Sequence, residues 1–196
     1  MKYQILFYCV FFLFNQFLLA QFKPTFHFTN TFHLLNYKTD NPVYDLTTHY
    51  GYFPEMKVGI QGADIAIFSI GLKYQMMGGK TSSNEVLGAS YLLFPIHATF
   101  LWNFKNSLIK GFFDAALDDG FKIKDKELFY QGIKYSFSNH YVGLQVSPGI
   151  EYPLKNAFSL TFQVYYSLQI NDASKNFFIG KFHHYGLSVG LRFIRK

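Results

Sequence analysis

Between Phe158 and Ile170 the chain reads FSLTFQVYYSLQI, with an apolar side chain at every even position and a polar or small one at nearly every odd position. A period of two belongs to a pleated strand, whose successive side chains leave on opposite faces. One face carries Phe158, Leu160, Phe162, Val164, Tyr166, Leu168 and Ile170; the other carries Ser159, Thr161, Gln163, Tyr165, Ser167 and Gln169. Strands of soluble proteins commonly run about 5–6 residues, whereas a tilted strand crossing a bilayer needs about 9–11. This run is long enough to cross. A soluble barrel would turn the apolar face inward and an outer-membrane barrel would turn it outward, so a single strand leaves both open.

The same alternation recurs along the chain. YVGLQVSPGIEY sets Val142, Leu144, Val146, Ile150 and Tyr152 against Gly143, Gln145, Ser147, Gly149 and Glu151. LLFPIHATFLWNF carries Leu92, Phe94, Ile96, Ala98, Phe100, Trp102 and Phe104 on its apolar face, and LIKGFFDAAL carries Ile109, Phe113, Ala115 and Leu117, with Lys110 and Asp114 opposite. YGYFPEMKVGIQ and IAIFSIGLKYQM flank a Gly62–Asp64 turn, and FKPTFHFTNTFHLL and HHYGLSVGLRF stand at the two ends. That makes eight strands. Their connections alternate strictly: short near 62–64, 105–106 and 153–156, long near 37–49, 78–89, 118–139 and 171–182. Segregation of short turns to one end and long loops to the other is the habit of bacterial outer-membrane barrels. Large Phe, Tyr, Leu and Ile on one face and Gly, Ser, Thr and Gln on the other suit a barrel of about eight strands, whose narrow interior small polar side chains fill. The expected fold is all-β, an eight-stranded antiparallel up-and-down transmembrane β-barrel spanning 21–196.

The opening MKYQILFYCVFFLFNQFLLAQF reads as a secretory signal peptide over 1–20, with Lys2 as n-region, Ile5–Phe14 as h-region and cleavage after Ala20. The chain's one cysteine, Cys9, falls inside that leader, so the exported domain relies on a core or on barrel closure instead of disulfides. Of the 196 residues, 18 are Lys or Arg and 12 are Asp or Glu, and the net charge of +6 is spread over loops and strand ends. An unclustered excess of this kind does not indicate nucleic-acid binding.

The segments GLKYQMMGGK, YLLFPIHATFLW with its Pro95, GIEYPLKNAFSLTFQVYYSLQIND and the closing GLSVGLRF resemble the PorT-like outer-membrane β-barrel family of Bacteroidota. The resemblance runs from about Tyr50 to Phe193 and implies fold and location, with a role as an accessory part of an envelope or secretion assembly. Two features depart from the family pattern. Ile194, Arg195 and Lys196 follow the last aromatic residue, and the first strand carries His27, His33 and Asn30 where the family is Gly-rich.

The polar face offers Glu55, Lys57, Lys73, Lys110, Asp114, Glu151 and Arg192 as an interior hydrogen-bonded network, because charge buried in a barrel must be paired. Seven histidines raise metal or catalytic chemistry. His183 and His184, being adjacent, point to opposite faces and cannot readily share an ion, and a strand-end histidine at the interface is the simpler expectation. A His184–Ser188 pair, or His184 with His97 or His27, would suit a lipid-modifying hydrolase only if a nucleophile met an oriented base. GGKTSS lacks the first glycine and the helix of a phosphate loop, and DAALDDGFKIKDKE lacks the carboxylate spacing of a calcium loop. No catalytic residue, metal or cofactor is expected. The expected location is the bacterial outer membrane, with outer-membrane lipid, the barrel-assembly machinery during insertion and an envelope protein at the outer loops, above all 118–140, as partners. A lipid-modifying enzyme and a soluble exported barrel holding an apolar ligand are the alternatives.

Overall fold

The structure, a computed structural model, describes residues 23–39, 49–62, 65–80, 86–126, 128–130, 133–135, 137–154, 157–171 and 180–194. The leader expected over 1–20 lies outside them, as does Phe22. The strands are β1 (Lys23–Thr39), β2 (His49–Gly62), β3 (Ala66–Lys80), β4 (Val86–Leu93), β5 (Ile96–Asn103), β6 (Lys110–Lys126), β7 (Leu128–Tyr130), β8 (Ile133–Tyr135), β9 (His140–Pro153), β10 (Phe158–Gln169) and β11 (Gly180–Ile194). β7 and β8 pair only with each other. The remaining strands make eight staves, because β4 and β5 are one strand interrupted at Phe94–Pro95. Pro95 has no N–H for the ladder, yet bonds continue across the break, from Phe94 N to Asp119 O (2.7 Å) and from Gly71 N to Pro95 O (2.8 Å).

Every stave is antiparallel to both neighbours, and β1 pairs with β11, so the sheet closes on itself. A path perpendicular to the strands runs Phe26, Val58, Ile70, Ile96, Leu117, Leu144, Leu168 and His183, and returns to β1 at Asn36, ten residues along from its start. A stagger of that size forces the strands to tilt, by roughly 35–45° in barrels of this kind. Closure leaves no sheet edge exposed.

The two faces of the wall differ in the sense opposite to a soluble protein. Phe28, Met56, Ile70, Ile96, Phe100, Leu144, Val164 and Leu187 are among a long series of large apolar side chains exposed on the outside. Thr29, Gln75, Ser147, Thr161, Ser167 and Gln169 are completely buried inside. Phe53, Leu93, Tyr141 and Tyr165 are buried further along the bore, and at the end that holds the short turns Ile67, Leu101 and Phe112 form a small apolar cluster inside. Phe112 fits there because Gly149 faces it across the ladder: a Cβ at 149 would run into the Phe112 ring, the Phe162 carbonyl and Gln163.

Three boundaries differ from the sequence expectation. β3 runs to Lys80 and β4 begins at Val86, so most of the segment 78–89, expected as a long loop, is paired wall. β6 does not stop near Leu117 but continues to Lys126, pairing with β9 as far as Phe121–His140 and with β4 as far as Gly88–Lys126. The segment 118–139 is therefore largely wall, with a small hairpin, instead of one long loop. Outward Phe121 and Ile123 keep the alternation going, but outward Asp119 interrupts it, and that charge marks a false end in the sequence. The turn between β5 and β6 is longer than Lys105–Asn106, running through Leu108 and Ile109 before β6 begins.

Among the described residues two non-glycine positions have positive φ, Asn106 at 59° and Ala157 at 68°, and both sit in short connections. Asn tolerates this region, whereas a residue such as Ala loses roughly 1–2 kcal/mol there. Ala157→Gly is expected to stabilise the barrel by about 1 kcal/mol. Gly149→Val, which forces a branched side chain against Phe112, is expected to destabilise it by about 1–3 kcal/mol. Urea unfolding in detergent micelles, read from the gel mobility of unboiled samples, checks both.

Candidate functional site

The interior of the barrel concentrates its chemistry. All seven charged residues singled out in the sequence lie on the inward face, six of them buried and Lys110 half-buried at the turn end. They do not form one network. Three clusters are stacked along the axis.

At the turn end Arg192 on β11 pairs with Glu151 on β9, and its guanidinium lies 5.1 Å from the centre of the Phe112 ring. The bidentate-capable, weakly hydrated guanidinium suits this position, where one face meets a carboxylate and the other an aromatic ring. In the middle is a cage built from four staves, β1, β2, β5 and β6. Asp114 Oδ2 on β6 accepts from Lys57 Nζ (3.1 Å) and lies 2.9 Å from His97 Nδ1, while Asp114 Oδ1 accepts from Thr99 Oγ1 (2.6 Å). The other ring nitrogen, His97 Nε2, is 2.8 Å from Glu55 Oε1, and Glu55 Oε2 accepts from Thr29 Oγ1 (3.3 Å). His27 approaches Thr161 Oγ1 beside it (2.9 Å).

Above the cage, Lys73 Nζ donates to Asp118 Oδ2 (2.7 Å), Gln145 Oε1 (3.1 Å) and Tyr165 Oη (3.2 Å). Phe53 and Tyr165 present their rings to the same ammonium, at 5.7 and 5.3 Å. All three ammonium protons thus have acceptors, the condition under which a buried lysine is tolerated.

The charges balance in a particular way. Buried Glu55, Asp114, Asp118 and Glu151 face buried Lys57, Lys73 and Arg192, with half-buried Lys110 beside Glu151 as the fourth cation at the turn end. His97 holds carboxylate oxygens against both its nitrogens, and carboxylates only accept. A ring that carries both protons donates to both carboxylates. Sequence reading named His97 only as a candidate partner of His184 and Tyr165 only as a polar-face residue, and it missed Asp118 and Thr99. The parity signal for His97 was present, since it alternates with outward Ile96 and Ala98; Asp118 was hidden by the early end assigned to β6.

The histidines fall differently from expectation. His184 is not at an interface but fully buried in the lumen, with Nε2 3.1 Å from Gln75 and its ring edge-on to His33. His183 takes the outward face and bonds Tyr166 Oη (3.0 Å). Ser188 also points inward and is buried, two inward positions from His184 on the same strand. A hydrolase pair acting on lipid needs its nucleophile at the lipid surface, and this arrangement does not supply one. Among the described residues no group of three or more His, Cys, Asp or Glu is set to hold a metal.

At the end opposite the short turns Phe137 is buried, and its segment is held by Lys122 Nζ donating to the Phe137 carbonyl (2.8 Å) and by Tyr91 Oη donating to the Ser138 carbonyl (2.7 Å). Lys122 also pairs with Asp125. Asn171 ties β9 to the end of β10, its amide nitrogen donating to His140 O (2.7 Å) and its oxygen accepting from Val142 N (2.8 Å).

Lys73→Met alone leaves Asp118 buried without its cation and is expected to cost about 3–5 kcal/mol, whereas Lys73→Met with Asp118→Leu is expected to recover most of that loss. Urea unfolding of the two single variants and the double variant forms the cycle that checks this.

No family model matches the sequence, and no curated protein does. Solved structures do match in fold. Neisserial surface protein A (NspA) aligns over 87% of this chain and 96% of its own at 16% identity and a TM-score of 0.51. The outer membrane protein OprG from Pseudomonas aeruginosa aligns over 89% and 98% at 13% identity and a TM-score of 0.54. At such identities the likeness is one of fold: a closed antiparallel barrel of eight strands.

Proposed function

We propose that the protein is an integral outer-membrane barrel that works through its outer end and its lipid-facing wall, not by passing solutes through its lumen. The observation that carries this reading is the reversal of faces. A wall whose outside is Phe, Leu, Ile, Val and Met and whose inside is ion-paired has its low-energy environment in hydrocarbon. In water the same surface would be one continuous apolar patch far beyond what monomeric proteins expose. A soluble barrel with an apolar ligand would require the opposite assignment.

Several features fit a bilayer in detail. Phe26, Trp102, Tyr152, Phe158 and Phe193 gather near the turn end, and Tyr52, Tyr74, Tyr166 and Tyr185 nearer the loop end, the aromatic girdles of a membrane barrel. Asp119 and His140 pair in the open on the outer face (2.7 Å), at the loop end, where charge meets head groups and water. The lumen carries Phe53, Phe112, Tyr141 and Tyr165, each almost completely buried, across its section. A water-filled diffusion pore needs about 16 strands.

The partners that follow are outer-membrane lipid around the wall, the assembly machinery during insertion, and an envelope protein at the loop end, in keeping with the PorT-like resemblance and an accessory role in an envelope or secretion assembly. OprG is titled an outer membrane protein and NspA a surface protein, which agrees with this placement.

Carbonate-washed outer membranes are expected to retain the protein, and unboiled samples are expected to migrate differently from boiled ones. In planar bilayers the purified barrel is expected to give no stepwise conductance. Recovery in the soluble periplasmic fraction would overturn the membrane reading; steady single-channel steps would overturn the closed lumen.

A further inference from the structure

Besides Asp119 on β6, which pairs with His140 at the level of the loop-end aromatic residues, the described outward face carries a polar side chain between the two aromatic girdles. Asn30 shares the outward parity of β1, with Phe26 and Phe28 on one side and Phe32 and Leu34 on the other. Its amide oxygen accepts from Tyr52 Oη (2.8 Å), and its amide nitrogen meets no acceptor among the described residues. Acyl chains offer none, and a polar group left unpaired in hydrocarbon is unfavourable enough to mark a contact site.

The shape around Asn30 points the same way. The side chain is half-buried, flanked across the ladders by Pro54 on β2 and Val189 on β11. Around it stand three of the most exposed apolar side chains of the wall, Phe32 (61% exposed), Met56 (64%) and Leu187 (65%). The result is a polar floor inside an apolar rim. Pro54 also lies where the wall is least tied: the registered β2–β3 ladder ends at Glu55–Lys73, while β1–β2 pairing continues to His49.

We infer that this β11–β1–β2 face is a self-association surface, with a second copy of the chain as its occupant. Copies inserted in the same orientation are related by a two-fold axis along the membrane normal, so each side chain meets its counterpart at its own depth. An amide is self-complementary. The Asn30 nitrogen of one copy donates to the Asn30 or Tyr52 oxygen of the other, and the reverse bond forms by symmetry. The apolar rim closes around the pair and keeps it dry. Interhelical and interstrand polar contacts of this kind act as adhesive in lipid, where apolar surface alone gives no preference for protein over acyl chains.

This inference rests on the membrane reading, and its test reports the two separately. The full chain, with Cys9→Ala, is purified from membranes and reconstituted in vesicles of phosphatidylethanolamine and phosphatidylglycerol. Flotation with the vesicles and heat-modifiable mobility report insertion and folding of every variant. Single cysteines are then placed at Leu187→Cys beside Asn30 and, as a control, at Leu117→Cys on β6, on the far side of the barrel. Oxidative cross-linking is expected at position 187 and not at 117. Adding Asn30→Leu, which keeps the wall apolar and removes the amide, is expected to weaken association about tenfold in a lipid-dilution series. A barrel that inserts and folds but cross-links equally at 187 and 117, or associates as strongly with Leu at position 30, overturns the inference while leaving the membrane reading intact. Failure to float or to show heat-modifiable mobility overturns both.

Discussion

Closure with a fixed stagger is the constraint from which the other features of this barrel follow. Once the ladder starting at Phe26 must return at Asn36, strand tilt and lumen width are set together, and the inward side chains have a definite volume to fill. That volume is narrow. Glycines face the bulky interior rings, as Gly149 faces Phe112, Gly51 faces His33 and Gly143 faces Tyr141, so that large and small residues alternate around the bore. The charged groups obey the same geometry. They are stacked in tiers along the bore, each carboxylate meeting a basic side chain of its own level.

The alternation of side chains made the strand number and the outward face of nearly every stave legible in the sequence, but not the lengths of the connections: the one expected to be long between β3 and β4 is 81–85, and the one expected to be short between β5 and β6 is 104–109. It worked because a wall with an apolar outer face and a packed bore imposes period two over long runs. Where the environment changed, the reading faltered. Asp119 is outward but lies at the rim, so its charge made β6 look finished while the wall continued above it. Pro95 interrupts a stave without ending it, and the alternation across it was still readable because Phe94 and Ile96 keep their parity.

The interior was legible by residue and not by partner. Parity alone puts Lys57, Lys73 and Asp114 inside, but which of them meet depends on the shear, and shear is a property of the closed barrel that no local segment carries. Lys57 reaches Asp114 across the bore from β2 to β6, and Lys73 reaches Asp118 and not the Glu55 that faces it across the β2–β3 ladder. The histidines were harder still. Their chemistry suits lumen, interface and metal site alike, and only the positions of their neighbours separate His97, which bridges two carboxylates, from His183, which meets Tyr166 on the outside.

The Glu55–His97–Asp114 bridge has a meaning in time as well as in space. Neighbouring hairpins can zip one by one, each with its own backbone ladder, but these three groups come from β2, β5 and β6 and converge only after that part of the sheet has curled. Before then each charge stands in water or head groups, where it is comfortable and favours the open sheet. The bridge therefore ties the wall's curvature to the desolvation of its charges, so that the barrel passes from open to closed as one cooperative step with few half-curled states along the way.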